Sequence, residues 1–253
     1  MQLNTIKDSV FTIIKKQQQE VHLSTVNSEL QACVAKHLSK KEPIRVLEAG
    51  CGDLSRISFG SQATLIGIDI SKRQLEKNTC LDEKILGDIQ TYPLKEEYFD
   101  VIISWDVLEH LNDPEKALNN FIRALEKDGI IILALPNLIS YKGILTKLTP
   151  YFIHVWFYNY IVGDKTVGTK DTQFSTYFRR IIAPNNLIRF FKNKGLTIVL
   201  SKLYEGPVPE HIRNKNKLTN FIFTVLGGLS KLITFGKYNF NHSDYMLVIK
   251  KNT

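Results

Sequence analysis

The sequence predicts an α/β fold: a doubly wound, mostly parallel seven-stranded sheet with helices on both faces. Three observations lead there. Short aliphatic runs alternate with helical patterns along residues 44–135. Those runs are apolar at successive positions rather than at every second one, as strands covered on both faces require. The length, 253 residues, suits one enlarged domain over 1–253 better than two.

In chain order, residues 1–40 read as a helical N-terminal extension that ends in the polar break Lys40-Lys41-Glu42-Pro43. Ile44–Glu48 is a strand, stopped by Ala49-Gly50-Cys51-Gly52. Ala63–Asp69 is a second strand ending in an acid, and Ser71–Lys77 follows as a helix. Glu83–Leu86 is a weak third strand before Gly87-Asp88, and Asp100–Ser104 a fourth. Asp113 suits an N-cap and Pro114 the first helical position; Leu118, Phe121, Ile122 and Leu125 then form one stripe before Gly129. Ile130–Leu135 is the fifth strand. A helix at Ala183–Lys194 and strands at Leu196–Leu200 and Tyr245–Lys250 complete the sheet. Residues 41–137 are therefore the cofactor-binding half. Segments 138–182 and 202–243 are insertions after strands five and six, where loops of open α/β sheets meet ligands, and are expected to form a substrate lid.

Composition divides the chain. Hydrophobic residues at 43% and charged residues at 23% exclude a wholly disordered chain. Residues 1–135 carry 16 Lys/Arg against 20 Asp/Glu, whereas 136–253 carry 17 against 5 and hold 19 of the 26 aromatics. An acidic front and a basic, aromatic back point to two tasks. Cys33, Cys51 and Cys80 form neither a disulfide framework nor a zinc pattern, which suits a reducing cytoplasm. Asn4, Lys7 and Asp8 interrupt any secretory core, and no long apolar run spans a bilayer, so a cytoplasmic location is expected, with peripheral membrane contact open.

The chemistry gathers at strand ends. Gly50 and Gly52 allow close approach to the backbone after strand one, and Asp69 stands 21 residues after Glu48, where a carboxylate can take both ribose hydroxyls. Ser55 replaces the third glycine of a dinucleotide fingerprint, which argues against NAD and for a nucleoside without phosphates.

These residues resemble the class I S-adenosylmethionine-dependent methyltransferases, in the small-molecule, ubiquinone-type subgroup. Val46-Leu-Glu-Ala-Gly-Cys-Gly52 looks like their first motif, Gly67-Ile-Asp69-Ile70-Ser71 like the ribose-binding acid, and Gly87-Asp88-Ile89 like the adenine-binding acid. Phe99–Pro114 looks like the fourth-strand motif. The likeness is strong over 42–137 and loose over 183–250, and it departs in the short interval between Gly52 and Asp69. It implies a Rossmann-like fold, S-adenosyl-L-methionine as cofactor, and cofactor contacts from Glu48, Gly50, Cys51, Gly52, Asp69, Ile70, Asp88, Ile89, Ser104 and Trp105. If the following segment is helical, Asp106, Glu109 and His110 share a face at i, i+3 and i+4. His110 is then the candidate general base, with cofactor-side packing or a metal site on these three side chains as its other roles.

In the insertions, His154, Trp156 and Phe157 lie in an aromatic run suited to an apolar substrate pocket or a bilayer interface. Leu218, Phe221, Ile222, Val225, Leu226, Leu229, Leu232 and Ile233 recur at helical spacing, as in a helix packed on its own core or an interfacial one flanked by Lys215, Lys217, Lys231 and Lys237. The leading expectation is methylation of a small-molecule or lipid-like acceptor, anionic in one variant, at a hydroxyl. The alternatives are an RNA-binding or RNA-methylating protein using the basic half, and a relative that binds cofactor without turnover. No Asn/Asp-Pro-Pro-aromatic motif follows strand four, where Ser104-Trp105-Asp106-Val107 stands, and nucleic acid is therefore not the expected partner. The oligomeric state is left open.

Overall fold

A computed structural model describes residues 28–38, 43–55, 59, 63–138, 140–141, 143–144, 149, 151–157, 160, 176–177 and 179–252. The strands are β1 (Ile44–Ala49), β2 (Ala63–Asp69), β3 (Glu83–Leu86), β4 (Phe99–Trp105), β5 (Leu125–Pro136), β6 (Thr197–Tyr204) and β7 (Asp244–Lys250). They form one seven-stranded sheet in the order β3-β2-β1-β4-β5-β7-β6. Pairing from β3 through β5 is parallel, while β7 runs antiparallel to both β5 and β6. The expectation of a mostly parallel sheet therefore holds for the cofactor half and gives way at β7, which runs antiparallel between β5 and the edge strand β6. Helical elements are α1 (28–38), α2 (Lys72–Lys77), α3 (Pro114–Ala124), α4 (Tyr151–Phe157), α5 (Pro184–Asn193), α6 (Pro207–Asn214) and α7 (Lys217–Ile233). Of the expected N-terminal helix, 28–38 is present, and residues 1–27 and 39–40 lie outside the described residues.

The continuous aliphatic runs are explained by two cores. On β5, Ile131, Leu133 and Leu135 face one cluster with Leu118 and Phe121 of α3 and Leu187 and Phe191 of α5. Ile130 and Ile132 face the other, closed by Leu30, Val34 and Leu38 of α1. Strand β7 divides the same way, with Tyr245, Leu247 and Ile249 on one side and Met246 and Val248 on the other. Alternating side chains thus leave both faces of β5 and β7 apolar.

Helix α3 starts as its sequence dictates: the Asp113 carboxylate accepts from the Lys116 N–H at 3.3 Å, and Pro114 occupies the first turn. Two boundaries move. β5 begins at Leu125 because Phe99 pairs with Leu125 before the register shifts to Val101 with Ile130, a break marked by Asp128 at φ 62°. β6 continues to Tyr204 because its ladder with β7 runs on to Asp244, so the second insertion starts at Glu205 rather than at 202. The first reading of the 218–233 repeat is overturned, since Leu218, Phe221, Ile222, Val225, Leu226, Leu229, Leu232 and Ile233 are all exposed. Among the described residues, no helix is long and apolar enough to cross a membrane.

Candidate functional site

The strand order reverses between β1 and β4, and open sheets of this kind bind ligands beyond the carboxyl ends of strands at such a switch point. A cleft of about 320 Å³ lies there. It is lined by Glu48, Gly50, Cys51 and Gly52 at the end of β1 and in the turn beyond it, Asp69 and Ile70 at the end of β2, Asp88 and Ile89 after β3, and Trp105 and His110 at and after the end of β4. Nine of the ten expected cofactor residues are thereby brought together. Ser104 is the exception: it is 1% exposed and does not line the cleft, because its place in β4 turns it into the sheet layer.

The glycine turn is shaped by backbone and carboxylate together. Gly50 and Gly52 have φ of 75° and 55°, where a side chain is strained. A Cβ on Gly50 would lie 2.4 Å from a methyl of Val107, so strand four's loop also demands glycine there. The Gly50 N–H donates to Ile68 O at 2.8 Å. Asp69, itself buried, accepts from the Gly52 N–H at 2.9 Å and from the Ser71 N–H at 2.7 Å. This carboxylate ties the turn after β1 to the start of α2, and each oxygen keeps a second lone pair for a ligand.

Asp88 is set by a residue that sequence reasoning missed. The Gln90 amide donates to both Asp88 oxygens, at 3.0 and 3.1 Å, while Gln90 Oε1 accepts from the Asp113 N–H at 2.8 Å. Gln90 thus links the acid to the N-terminus of α3. Its nearness to Asp88 in sequence was the available signal. Asp53, Leu54, Gln74 and Leu111 also line the cleft unforeseen, and Ile70 and Leu54 expose 65% and 53% of their surface at it. Cys51 is buried, and desolvation, Asp69 and Glu48 together push its thiol up to about 12.

The segment after β4 is not the expected helix. Asp106 sits at φ 53°, and only Leu108–His110 turns, as a short 3-10 element. Asp106, Glu109 and His110 consequently do not stack on one face. Asp106 and His110 line the cleft, whereas Glu109 is buried and does not. His110 Nε2 lies 4.0 Å from Glu109 Oε1. Among the described residues, no three His, Cys, Asp or Glu side chains are grouped to hold a metal ion. Burial first and Glu109 second raise the pKa of Tyr245, whose hydroxyl donates to Ile182 O. Tyr204, at the end of β6, is raised by burial and then by Asp244 and Asp106, and it does not line the cleft.

Helix α4 carries His154, Trp156 and Phe157. Trp156 is 54% exposed, packs 6.1 Å from the Tyr160 ring and does not line the cleft; the side chains of His154 and Phe157 lie outside the described residues.

The cleft's chemistry is selective. Glu48, Asp53, Asp69, Asp88 and Asp106 contribute five carboxylate side chains, and no Lys or Arg among the described residues lines it. A phosphate-bearing dinucleotide would meet these carboxylates with no cationic side chain of the described residues to offset them. A nucleoside carrying a positive charge fits: acids for ribose, base and cation, apolar Ile70 and Leu54 for a ring, and bare backbone at Gly52 for a close tail.

Residues 47–133 match the family model of a methyltransferase domain. The chain is 27% identical to the ubiquinone biosynthesis O-methyltransferase of Pelagibacter ubique over 70% of each chain. It is 30% identical to a tRNA (carboxymethyluridine(34)-5-O)-methyltransferase of Arabidopsis thaliana over 42% of this chain and 27% of that one. Among solved structures, a SAM-dependent methyltransferase from Archaeoglobus fulgidus superposes with a TM-score of 0.54 at 18% identity, covering 88% of this chain and 94% of that one. A phosphoethanolamine N-methyltransferase from Haemonchus contortus in complex with S-adenosyl-L-methionine gives 0.52 at 15%, covering 89% and 53%.

Proposed function

We propose that the chain is a class I S-adenosylmethionine-dependent methyltransferase, with S-adenosylmethionine as cofactor, and that it methylates a hydroxyl of a small molecule with an apolar body. The observation that carries the proposal is the acidic cleft at the switch point of the sheet, lined by no Lys or Arg among the described residues. When bound there, S-adenosylmethionine supplies an electrophilic methyl group on a positively charged sulfur. Asp69 receives the ribose hydroxyls, Asp88 and Ile89 flank the adenine, and Glu48 with the Gly50–Gly52 backbone holds the methionine end. Trp105 and Asp106 close the β4 side.

His110 lines the same cleft and takes the proton that an acceptor hydroxyl must lose as its oxygen attacks. The rest of the rate comes from holding the oxygen in line and excluding water. That task falls to the insertions after β5 and β6, which leave the same carboxyl edge of the sheet as the cleft because β5 and β6 both run antiparallel to β7. Their aromatic and basic composition suits an acceptor with an apolar body and an anionic substituent.

The acceptor class is supported by the O-methyltransferase relative, whose match extends over 70% of both chains. RNA methylation draws support from the shorter tRNA-enzyme match and from the basic half. Labelled methyl transfer to a panel of hydroxylated apolar compounds and to bulk tRNA separates the two readings. Label in the small molecules is expected. Label in tRNA alone, lost steeply as salt rises, would reverse the assignment.

A further inference from the structure

Helix α7 is seated the opposite way from a core helix. At about 100° per residue, Leu218, Phe221, Ile222, Val225, Leu226, Leu229, Leu232 and Ile233 fall within one arc of about 140°. Such an arc ordinarily turns inward. Here Leu218, Phe221, Leu232 and Ile233 are 67%, 66%, 75% and 73% exposed, and Phe235 just beyond the helix is 92% exposed. The opposite side docks on the body. Gly227 and Ser230 are buried, and the Phe223 ring meets Tyr141 edge-on at 5.0 Å. Asn241 Nδ2 donates to Phe223 O at 2.9 Å, and the Phe240 N–H donates to Ser230 Oγ at 3.1 Å. A Cβ on Gly227 would come 2.6 Å from Asn241 Nδ2, so this small face is what permits the seating. The Asn216–Thr219 capping box fixes the helix start.

We propose that the outward arc of α7 docks in the interface of an anionic lipid bilayer, with the helix axis along the membrane surface. Charge selects this occupant. No Asp or Glu occurs from His211 to Ser243, while Lys215 and Lys217 stand at the start of the arc and Lys237 just beyond its end. A two-fold contact with a second copy would set these lysines against one another, whereas an anionic surface attracts all of them. Seventeen residues span about 25 Å, a length suited to lying in the interface, where apolar side chains sink below the headgroups and lysines stay level with them. The helix follows β6, whose end shares the sheet edge with the cofactor cleft. Docking therefore brings that edge toward the bilayer, from which an acceptor with an apolar body can be drawn. The docking surface stands independently of the proposed reaction.

The test is co-sedimentation of the full chain with vesicles of phosphatidylcholine alone or with phosphatidylglycerol, at low and high salt. A parallel titration with S-adenosylhomocysteine reports the cleft. Sedimentation velocity without lipid reports the oligomeric state. Wild type is expected to bind the anionic vesicles, more weakly at high salt. Phe221→Gln/Leu229→Gln/Leu232→Gln should lower partitioning at least tenfold with unchanged cofactor affinity, because all three are exposed on the outward arc. Lys217→Gln/Lys237→Gln should lower it about tenfold or more, at about fivefold per lysine. Absence of binding at low salt, or equal binding by the triple variant, overturns the proposal. A wild-type dimer that the triple variant dissociates, without vesicle binding, assigns the arc to a second copy and overturns it too. Loss of cofactor binding in wild type would instead count against the proposed reaction.

Discussion

Removing the Asp69 carboxylate separates its structural work from its proposed ligand contact. In the structure its oxygens accept from Gly52 N–H at 2.9 Å and Ser71 N–H at 2.7 Å, so the side chain braces the glycine turn with or without ligand. Asp69→Ala leaves both donors to water entering the cleft. At roughly 1 kcal/mol for each replaced bond, urea unfolding should show a loss of about 2 kcal/mol. If the remaining lone pairs hold ribose, the variant also loses a charged acceptor, about 1.5–3 kcal/mol of binding, or roughly 10–150-fold in Kd for S-adenosylhomocysteine by calorimetry. Asp69→Asn keeps one acceptor oxygen but sets an NH₂ group against one of the two backbone donors. It should be intermediate in stability and still weakened in affinity. A folded Asp69→Ala protein with wild-type affinity would refute the ribose assignment while leaving the bracing role intact.

Three further outcomes follow from the same geometry. Gly50→Ala should destabilise by about 2–4 kcal/mol in urea melts, from positive φ and the collision with Val107, and adding Val107→Ala should recover only the collision part. Because the Cys51 pKa is raised in the folded state, its contribution to stability is complete below the unfolded thiol's ordinary value and is lost as pH rises toward about 12; Cys51→Ala should flatten that part of the alkaline stability curve. His110→Ala should slow single-turnover methyl transfer about 10²–10⁴-fold with little change in cofactor affinity, and an unchanged rate would confine His110 to packing.

The cofactor half was legible because its signals are local. Ala63–Asp69 and Glu83–Leu86 appear with the bounds that their aliphatic runs and terminal acids suggest, and Asp113-Pro114 marks the start of α3. Glycines and acids at strand ends fall into one cleft because parallel strands bring their carboxyl ends to one edge. What failed depended on tertiary context. The antiparallel β7 extends β6 to Tyr204 through pairing that no local pattern encodes. Asp106 enters the left-handed region, so a helical spacing that looked regular never formed. The 218–233 repeat identified a helix but not which way it faces, because that is decided by Gly227 against Asn239 and Asn241 and by Ser230 against the Phe240 backbone. Gln90's hold on Asp88 is likewise a contact that becomes visible only in three dimensions.

The central claim is that the acidic cleft at the β1–β4 switch point is where the cofactor sits. A crystal structure of the protein grown with S-adenosylhomocysteine tests it most directly. Both ribose hydroxyls are expected within hydrogen-bond distance of the Asp69 carboxylate, adenine between Ile70 and Ile89 beside Asp88, and the sulfur facing Trp105 and His110. A nucleoside held elsewhere on the chain, or in the cleft with its ribose away from Asp69, would contradict it.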